Sequence, residues 1–275
     1  MNTTLYFLAM IIIGILTGTM TGLTGASGVI VVVPLVSLML NFPVHQSIGT
    51  SLMVDTIAPL LISYTYFKHG NIDFKSGLWL AFGAVFGAQL SALFVTGISG
   101  PNLGLGFGVF LIAMSAMIWK KGFNRQSPEN NSVKGMRLNR HYQRAAVSLI
   151  LGFALGIQAG FVGAGGGALI LLILLFVLNI PLRRAIGTST LIMSLTACSG
   201  TFGYALRGNI NYLAGLIIAL SAVAGGITSA RLAHKVDEKF LARVIGIIFM
   251  SLGTLMILMR WMPDLISLPQ FLADK

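Results

Sequence analysis

The chain of 275 residues is 56% hydrophobic and 9% charged, holds 33 glycines and one cysteine, and has a mean hydropathy of +0.88. A soluble domain carries about 25% charged residues, so this composition excludes a soluble enzyme, a disordered chain and a disulfide-stapled secreted domain. A net charge of +11 would suggest nucleic acid in a soluble protein. Here repeated apolar runs of about 20 residues point instead to a polytopic α-helical membrane protein with no nucleic-acid partner.

In chain order, Met1–Thr4 lacks a basic residue and Leu5–Leu23 exceeds the apolar core of a signal peptide, so this run is predicted as the first membrane segment. The segments that follow in the first half are Val29–Leu40, Ser47–Phe67, Ser76–Thr96 and Asn102–Trp119. In the second half they are Ala145–Phe161, Ala168–Leu178, Ala185–Leu206, Tyr212–Leu232 and Leu241–Met259. The second segment of each half is short, reaching about 18 Å at 1.5 Å per residue against a hydrocarbon core of about 30 Å.

A shift of 138 positions lays the second half on the first without a gap. Gly14, Gly18, Gly22, Gly25 and Gly28 then fall on Gly152, Gly156, Gly160, Gly163 and Gly166. Ile48-Gly49-Thr50-Ser51 falls on Ile186-Gly187-Thr188-Ser189, and Gly70-Asn71-Ile72 on Gly208-Asn209-Ile210. Glycines alone could coincide in so Gly-rich a chain, but these two motifs at one offset mark a duplication. The expected organisation is repeat 1 over residues 1–119, a basic cytoplasmic linker at 120–144, repeat 2 at 145–262 and a tail at 263–275.

Charge decides how the halves are placed. If each half crosses the membrane an odd number of times, with the linker inside, 15 of 18 Lys and Arg fall inside, and only Arg207, Arg260 and Lys275 fall outside. An even number gives 12 against 6. The positive-inside rule favours the first, which makes the repeats inverted and puts both termini outside the cytoplasmic membrane. The fold expected is all-α: two inverted repeats of about five segments each, 8–10 membrane segments in all, two of them short or re-entrant.

The Gly-rich breaks Gly25-Ala26-Ser27-Gly28 and Gly163-Ala164-Gly165-Gly166-Gly167 precede the short segments and so lie within the membrane. Bare backbone is tolerated there only where protein buries it or a cavity wets it. Half-helices starting at such breaks present free N–H groups and the positive end of the helix dipole, so the breaks read as two facing anion cradles. The bland alternative is helix packing, which suits Gly14, Gly18 and Gly22 at four-residue spacing.

These twin breaks, each followed by a short apolar segment and then Gly-Thr-Ser, resemble those of the TauE/SafE family, the sulfite exporter or TSUP permeases, over nearly the whole chain. The first break departs from the family form, with Ser27 and Val29 where Gly165 and Gly167 stand. The resemblance implies a secondary carrier of small anions such as sulfite, sulfonates or related organic acids, rather than an enzyme.

Further candidates are side chains. Thr50, Ser51, Thr188 and Ser189 read either as helix caps or as hydroxyl donors to a substrate oxygen. Asp55, in the third segment with Met193 as its repeat equivalent, reads either as a proton-coupling carboxylate or as a bonded structural one. Gln89 and Gln158 read as supporting amides, and Cys198 as a small core residue. The sequence has no H-E-x-x-H, no G-x-x-x-x-G-K-[ST] and no Cys/His cluster, so no metal or other cofactor is expected. The expected partners are a small anion, membrane lipid and a proton or another coupling ion. The rival functions are a passive anion channel and, further off, a membrane-embedded enzyme.

Overall fold

A computed structural model describes residues 3–94, 112, 115–116, 141–162 and 166–261. The chain divides into two compact units, residues 1–97 with 129–236 and residues 98–128 with 237–275. The first unit holds α1 (Thr3–Thr24), α2 (Val29–Leu40), α3 (Val44–Lys68), α4 (Phe74–Phe94), α5 (His141–Val162), α6 (Gly167–Leu172), α7 (Leu182–Leu206) and α8 (Tyr212–Lys235). The second holds α9 (Glu238–Trp261), where Ser115 donates to the Gly246 carbonyl at 2.7 Å. Among the described residues there is no strand. Most of the last predicted segment of repeat 1, most of the linker and the C-terminal tail lie outside the described residues, and α5 begins within the predicted linker, at His141.

Adding 138 to the bounds of α1 and α3 gives those of α5 and α7, and α8 starts 138 residues after α4. The turns repeat as closely. Asn41 and Asn179 both take the left-handed conformation at φ 54°, which Asn tolerates, and Pro43 and Pro181 then open α3 and α7. Gly70 and Gly208 end α3 and α7 at φ 69° and 67°. In both ends the following Asn N–H reaches back to a tyrosine carbonyl, Asn71 to Tyr66 at 2.9 Å and Asn209 to Tyr204 at 3.0 Å, forming a Schellman stop. One difference stands out: α2 is α-helical throughout, whereas α6 runs on as a π-helical turn over Ile173–Val177.

Close approaches between helices show how the halves are arranged. A Cβ on Gly18 would stand 1.9 Å from the Ala222 carbonyl oxygen, and one on Gly22 would meet the Gly226 oxygen at 2.4 Å, so α1 and α8 run side by side in the same direction. The equivalent pair is α5 with α4, where Gly152 lies against Leu80 and Gly156 against Ala84. Small residues let the backbones come this near. In contrast, α3 and α7 run antiparallel: Gly49 faces Tyr204, Gly187 faces Tyr66, and Thr56 and Thr201 share a hydrogen bond of 3.0 Å midway. Equivalent helices therefore point in opposite directions, which is the inverted arrangement.

The surface is apolar, and polar side chains are gathered inside among a largely apolar core. Leu8, Ile12, Leu16, Phe82, Phe86 and Leu220 are exposed, while Thr24, Ser27, Thr50, Ser51, Asp55, Thr188 and Ser189 are buried. Three described helices, Thr4–Thr24, His45–Lys68 and Tyr212–Lys235, are long and apolar enough to cross a membrane, and shorter apolar helices accompany them. Large apolar side chains outside and hydroxyls inside suit a molecule whose solvent is lipid. The chain is an all-α polytopic membrane protein.

Candidate functional site

The breaks follow from their glycines. At the first, α1 stops at Thr24, whose hydroxyl donates to the Met20 carbonyl (2.8 Å) and accepts from Ala26 N–H (3.0 Å), and Gly25 takes φ +65°. Only a residue without a Cβ adopts that conformation freely. A Cβ there would also meet the Ser189 hydroxyl at 2.2 Å. At the second, Gly166 takes φ +65° immediately before α6. Gly163, Ala164 and Gly165 lie outside the described residues, as does the side chain of Gln158.

The two breaks meet. A Cβ on Gly167 would stand 2.7 Å from the Gly25 carbonyl oxygen and 2.8 Å from the Ser27 nitrogen. Gly25, Ala26, Ser27, Gly28, Gly166 and Gly167 are all buried. The amino-terminal ends of two short helices from opposite halves thus come together at one buried place, on the side of α3 and α7 that carries Asp55 and Ser189.

What fills the two sides differs. Asp55, only 1% exposed, accepts from the Ser27 hydroxyl and, at 3.2 Å, from Gly28 N–H, while Ser27 Oγ also accepts from Val29 N–H at 3.2 Å. A carboxylate of the protein itself thereby caps the amino-terminal end of α2, where N–H groups lack helical partners and the dipole is positive. At the equivalent position of the second half, Met193 brings its thioether towards Gly167, where a Cβ would meet Sδ at 2.5 Å.

Hydroxyls of the Gly-Thr-Ser motifs sit nearly two turns inside α3 and α7 and cap neither of these helices. Thr50 Oγ1 accepts from Asn211 N–H (3.0 Å), and Thr188 Oγ1 from Asp73 N–H (2.9 Å). Each therefore holds the start of a helix in the other half, α8 and α4. Gly49 and Gly187 make room, since a Cβ on either would come within 2.0 or 2.2 Å of the Asn209 or Asn71 carbonyl. This explains why both motifs are duplicated: each Ile-Gly-Thr-Ser seats on the Gly-Asn-Ile turn of the opposite repeat. Ser51 donates to Ile48 O, and Ser189 to Ile186 O, with the Gly25 carbonyl 3.3 Å from Ser189 Oγ. Gln89 donates to Ser199 Oγ and to its carbonyl, joining α4 to α7 away from the breaks. Cys198 is exposed.

Several interactions have no counterpart among the sequence candidates. Ser194 donates to the Thr56 carbonyl (2.7 Å), and Tyr66 OH to the Gly22 carbonyl (2.7 Å), one turn before the first break. His69 and His234 stack beside Tyr66. The repeated Tyr66/Tyr204 pair was the signal available for the tyrosine; the histidines have no repeat partner of their kind. Among the described residues no group of three His, Cys, Asp or Glu is placed to hold a metal.

The sequence profile of the family described as "Sulfite exporter TauE/SafE" matches residues 10–256. Curated relatives carry transporter names. The "Probable membrane transporter protein YunE" of Bacillus subtilis is 28% identical over 267 residues, covering 90% of this chain and 96% of its own length. The "Probable membrane transporter protein YdhB" of the same organism is 28% identical over 239 residues, covering 86% and 94%. The "Probable membrane transporter protein MJ0441" of Methanocaldococcus jannaschii is 25% identical over 264 residues, covering 90% and 94%. No solved structure matches the chain. With inverted halves, paired breaks and a profile match over most of its length, the chain belongs to the sulfite exporter TauE/SafE family of membrane proteins.

Proposed function

We propose that this protein is a secondary carrier of small anions, such as sulfite, a sulfonate or another small organic anion, and that the carried anion is held where the two breaks meet. The observation that supports this most is the contact of Gly167 with the Gly25 carbonyl and Ser27 nitrogen, which puts the starts of α2 and α6 at one buried point. Discontinuous helices whose amino-terminal ends converge near the middle of an inverted-repeat bundle are a recurrent way to bind an anionic group. Movement of one repeat against the other exposes that point to each side in turn.

Asp55 supplies the coupling. As a carboxylate it takes the Gly28 N–H and the Ser27 hydroxyl, and its charge repels an incoming anion. Once protonated it no longer repels, so a proton and an anion occupy the site together. The basic ends face the cytoplasm: Lys68, Lys75, Arg144, Arg183, Arg184, Arg231 and Lys235 all lie at the end of the first unit where α3 and α8 stop and α4, α5 and α7 start. This orientation puts the amino terminus and the carboxyl terminus outside and the linker inside.

The test is sulfite flux in proteoliposomes. Gly167→Ala, whose Cβ crowds the Gly25 carbonyl and the Ser27 nitrogen, is expected to cut flux per folded molecule about tenfold, a loss of about 1.4 kcal/mol, and Asp55→Asn to abolish the response to an imposed pH gradient. Flux that neither saturates nor responds to the gradient in the unsubstituted protein identifies a channel and overturns the carrier reading.

A further inference from the structure

About one turn beyond the first break, the end of the bundle where α3 stops, α7 starts and α8 stops gathers three basic side chains, His69, Arg183 and His234. The rings of His69 and His234 stack with centroids 4.1 Å apart and planes 31° apart, and the Tyr66 ring lies 4.7 Å from that of His234. Arg183 reaches across from α7 and donates through Nη2 to the Val236 carbonyl, just past the last turn of α8. His69 and Arg183 are the titratable and charged side chains standing nearest the His234 ring, and Arg183 also stands near Tyr66.

The hydrogen bonds fix which nitrogens are available. His69 Nδ1 lies 2.8 Å from the Thr65 carbonyl and His234 Nδ1 lies 2.7 Å from the Ala230 carbonyl. A carbonyl only accepts, so both Nδ1 atoms carry protons and Nε2 is the remaining ring nitrogen of each. His234 Nε2 and Arg183 Nε are both buried without a hydrogen-bond partner. Buried polar atoms of native proteins are paired in the great majority of cases, so two orphans in one cluster call for a third party. Arg183 carries a permanent charge and a donor at Nε, which disfavours a metal cation and suits an oxygen of an anion. The cluster is also no by-product of the duplication. The repeat equivalents of Arg183, His69 and His234 are His45, Arg207 and Thr96, whereas Tyr66 keeps its tyrosine partner, Tyr204.

We propose that Arg183, His69 and His234 form an oxyanion-binding site at this end of the bundle, separate from the breaks. One oxygen of the ligand accepts from Arg183 Nε–H. A second accepts from His234 Nε2–H, the ring taking up its proton together with the anion, whose charge offsets that of Arg183, and the stacked His69 ring flanks it. The ligand is either a free sulfur or phosphorus oxyanion or the phosphate of a phospholipid headgroup, which present the same chemistry. Tyr66 closes the inner wall, and its hydroxyl ties the site to α1 through the Gly22 carbonyl, one turn before the first break.

The chain has four histidines, so nitrogen NMR of protein labelled at histidine reads the site directly. Binding is measured without flux, so the result is independent of whether the protein carries anions. In phospholipid-free detergent, sulfite is expected to move the Nε2 resonances of His69 and His234, while chloride at matched ionic strength moves neither. If the same resonances move instead in nanodiscs containing phosphatidylglycerol with no sulfite, the ligand is a headgroup phosphate, and the site stands. Arg183→Gln is expected to weaken binding about tenfold or more. Arg183→Lys keeps the charge but is one bond shorter and lacks Nε–H, and is expected to weaken it as well. No shift in either medium, a shift confined to His45 and His141, or Arg183→Lys binding as tightly as the unsubstituted protein would overturn the proposal.

Discussion

At the first break a carboxylate from α3 caps the start of α2, with Ser27 as its hydroxyl partner; at the second, the residue in that place is Met193, whose thioether faces Gly167. Around this difference the scaffold is nearly identical. Thr50 holds the start of α8 as Thr188 holds the start of α4, and the left-handed turns at Asn41, Asn179, Gly70 and Gly208 agree within a few degrees pair by pair. The duplicated parts are those that join one repeat to the other, where a change on one side leaves a partner on the other unsatisfied. The filling of the breaks is under no such mutual constraint. It has diverged into one side that carries its own carboxyl group and one that carries a thioether.

Six substitutions test that contrast, from the largest expected effect to the smallest. Gly18→Val and Gly156→Val force side chains into the Ala222 and Ala84 carbonyls, and each is expected to cost about 3 kcal/mol or more. Thermal unfolding in detergent should show similar losses for the two; a loss in only one would mean that the α1/α8 and α5/α4 seams are not equivalent in energy. Met193→Asp then asks whether the second side tolerates a carboxylate where Gly165 stands in place of Ser27. Lacking that hydroxyl, the buried charge is expected to cost about 3 kcal/mol, and a stable variant would make the two sides interchangeable.

Asp55→Ala strips the acceptor from the Ser27 hydroxyl and Gly28 N–H, and is expected to lower stability by about 2 kcal/mol. Unchanged stability would show that the carboxylate is held for transport alone. Thr50→Val and Thr188→Val each remove the acceptor at the start of a helix, at about 1 kcal/mol apiece. The two sites lie at opposite ends of the bundle and share no partner, so the double substitution should cost their sum. Strongly unequal single losses would break the symmetry of the clamp.

Much of the architecture was legible in the residues. The offset of 138 appears again in the element bounds, and the four-residue spacing of Gly14, Gly18 and Gly22 marks the seam with α8. Both are local or periodic signals, so a single chain displays them. Asp55 was visible as a costly charge in an apolar segment, but its acceptance of the Gly28 N–H was not, because that bond joins residues 27 positions apart. The role of Thr50 was misleading for the same reason. A hydroxyl near a helix start suggests a cap for that helix, and only packing reveals that the helix it caps begins at Asn211, in the other half.

The sequence by itself determined that this is a duplicated, all-α membrane protein with two Gly-rich breaks, since hydropathy, repeat offset and glycine clustering all depend on neighbours along the chain. Only the tertiary structure decided that the breaks abut at Gly25 and Gly167, that one of them is capped by Asp55, and that His69, His234 and Arg183 share one end of the bundle. Those juxtapositions depend on equivalent helices of the two halves running in opposed directions and on close packing at small residues, and no residue's local preference records which distant helix it will meet.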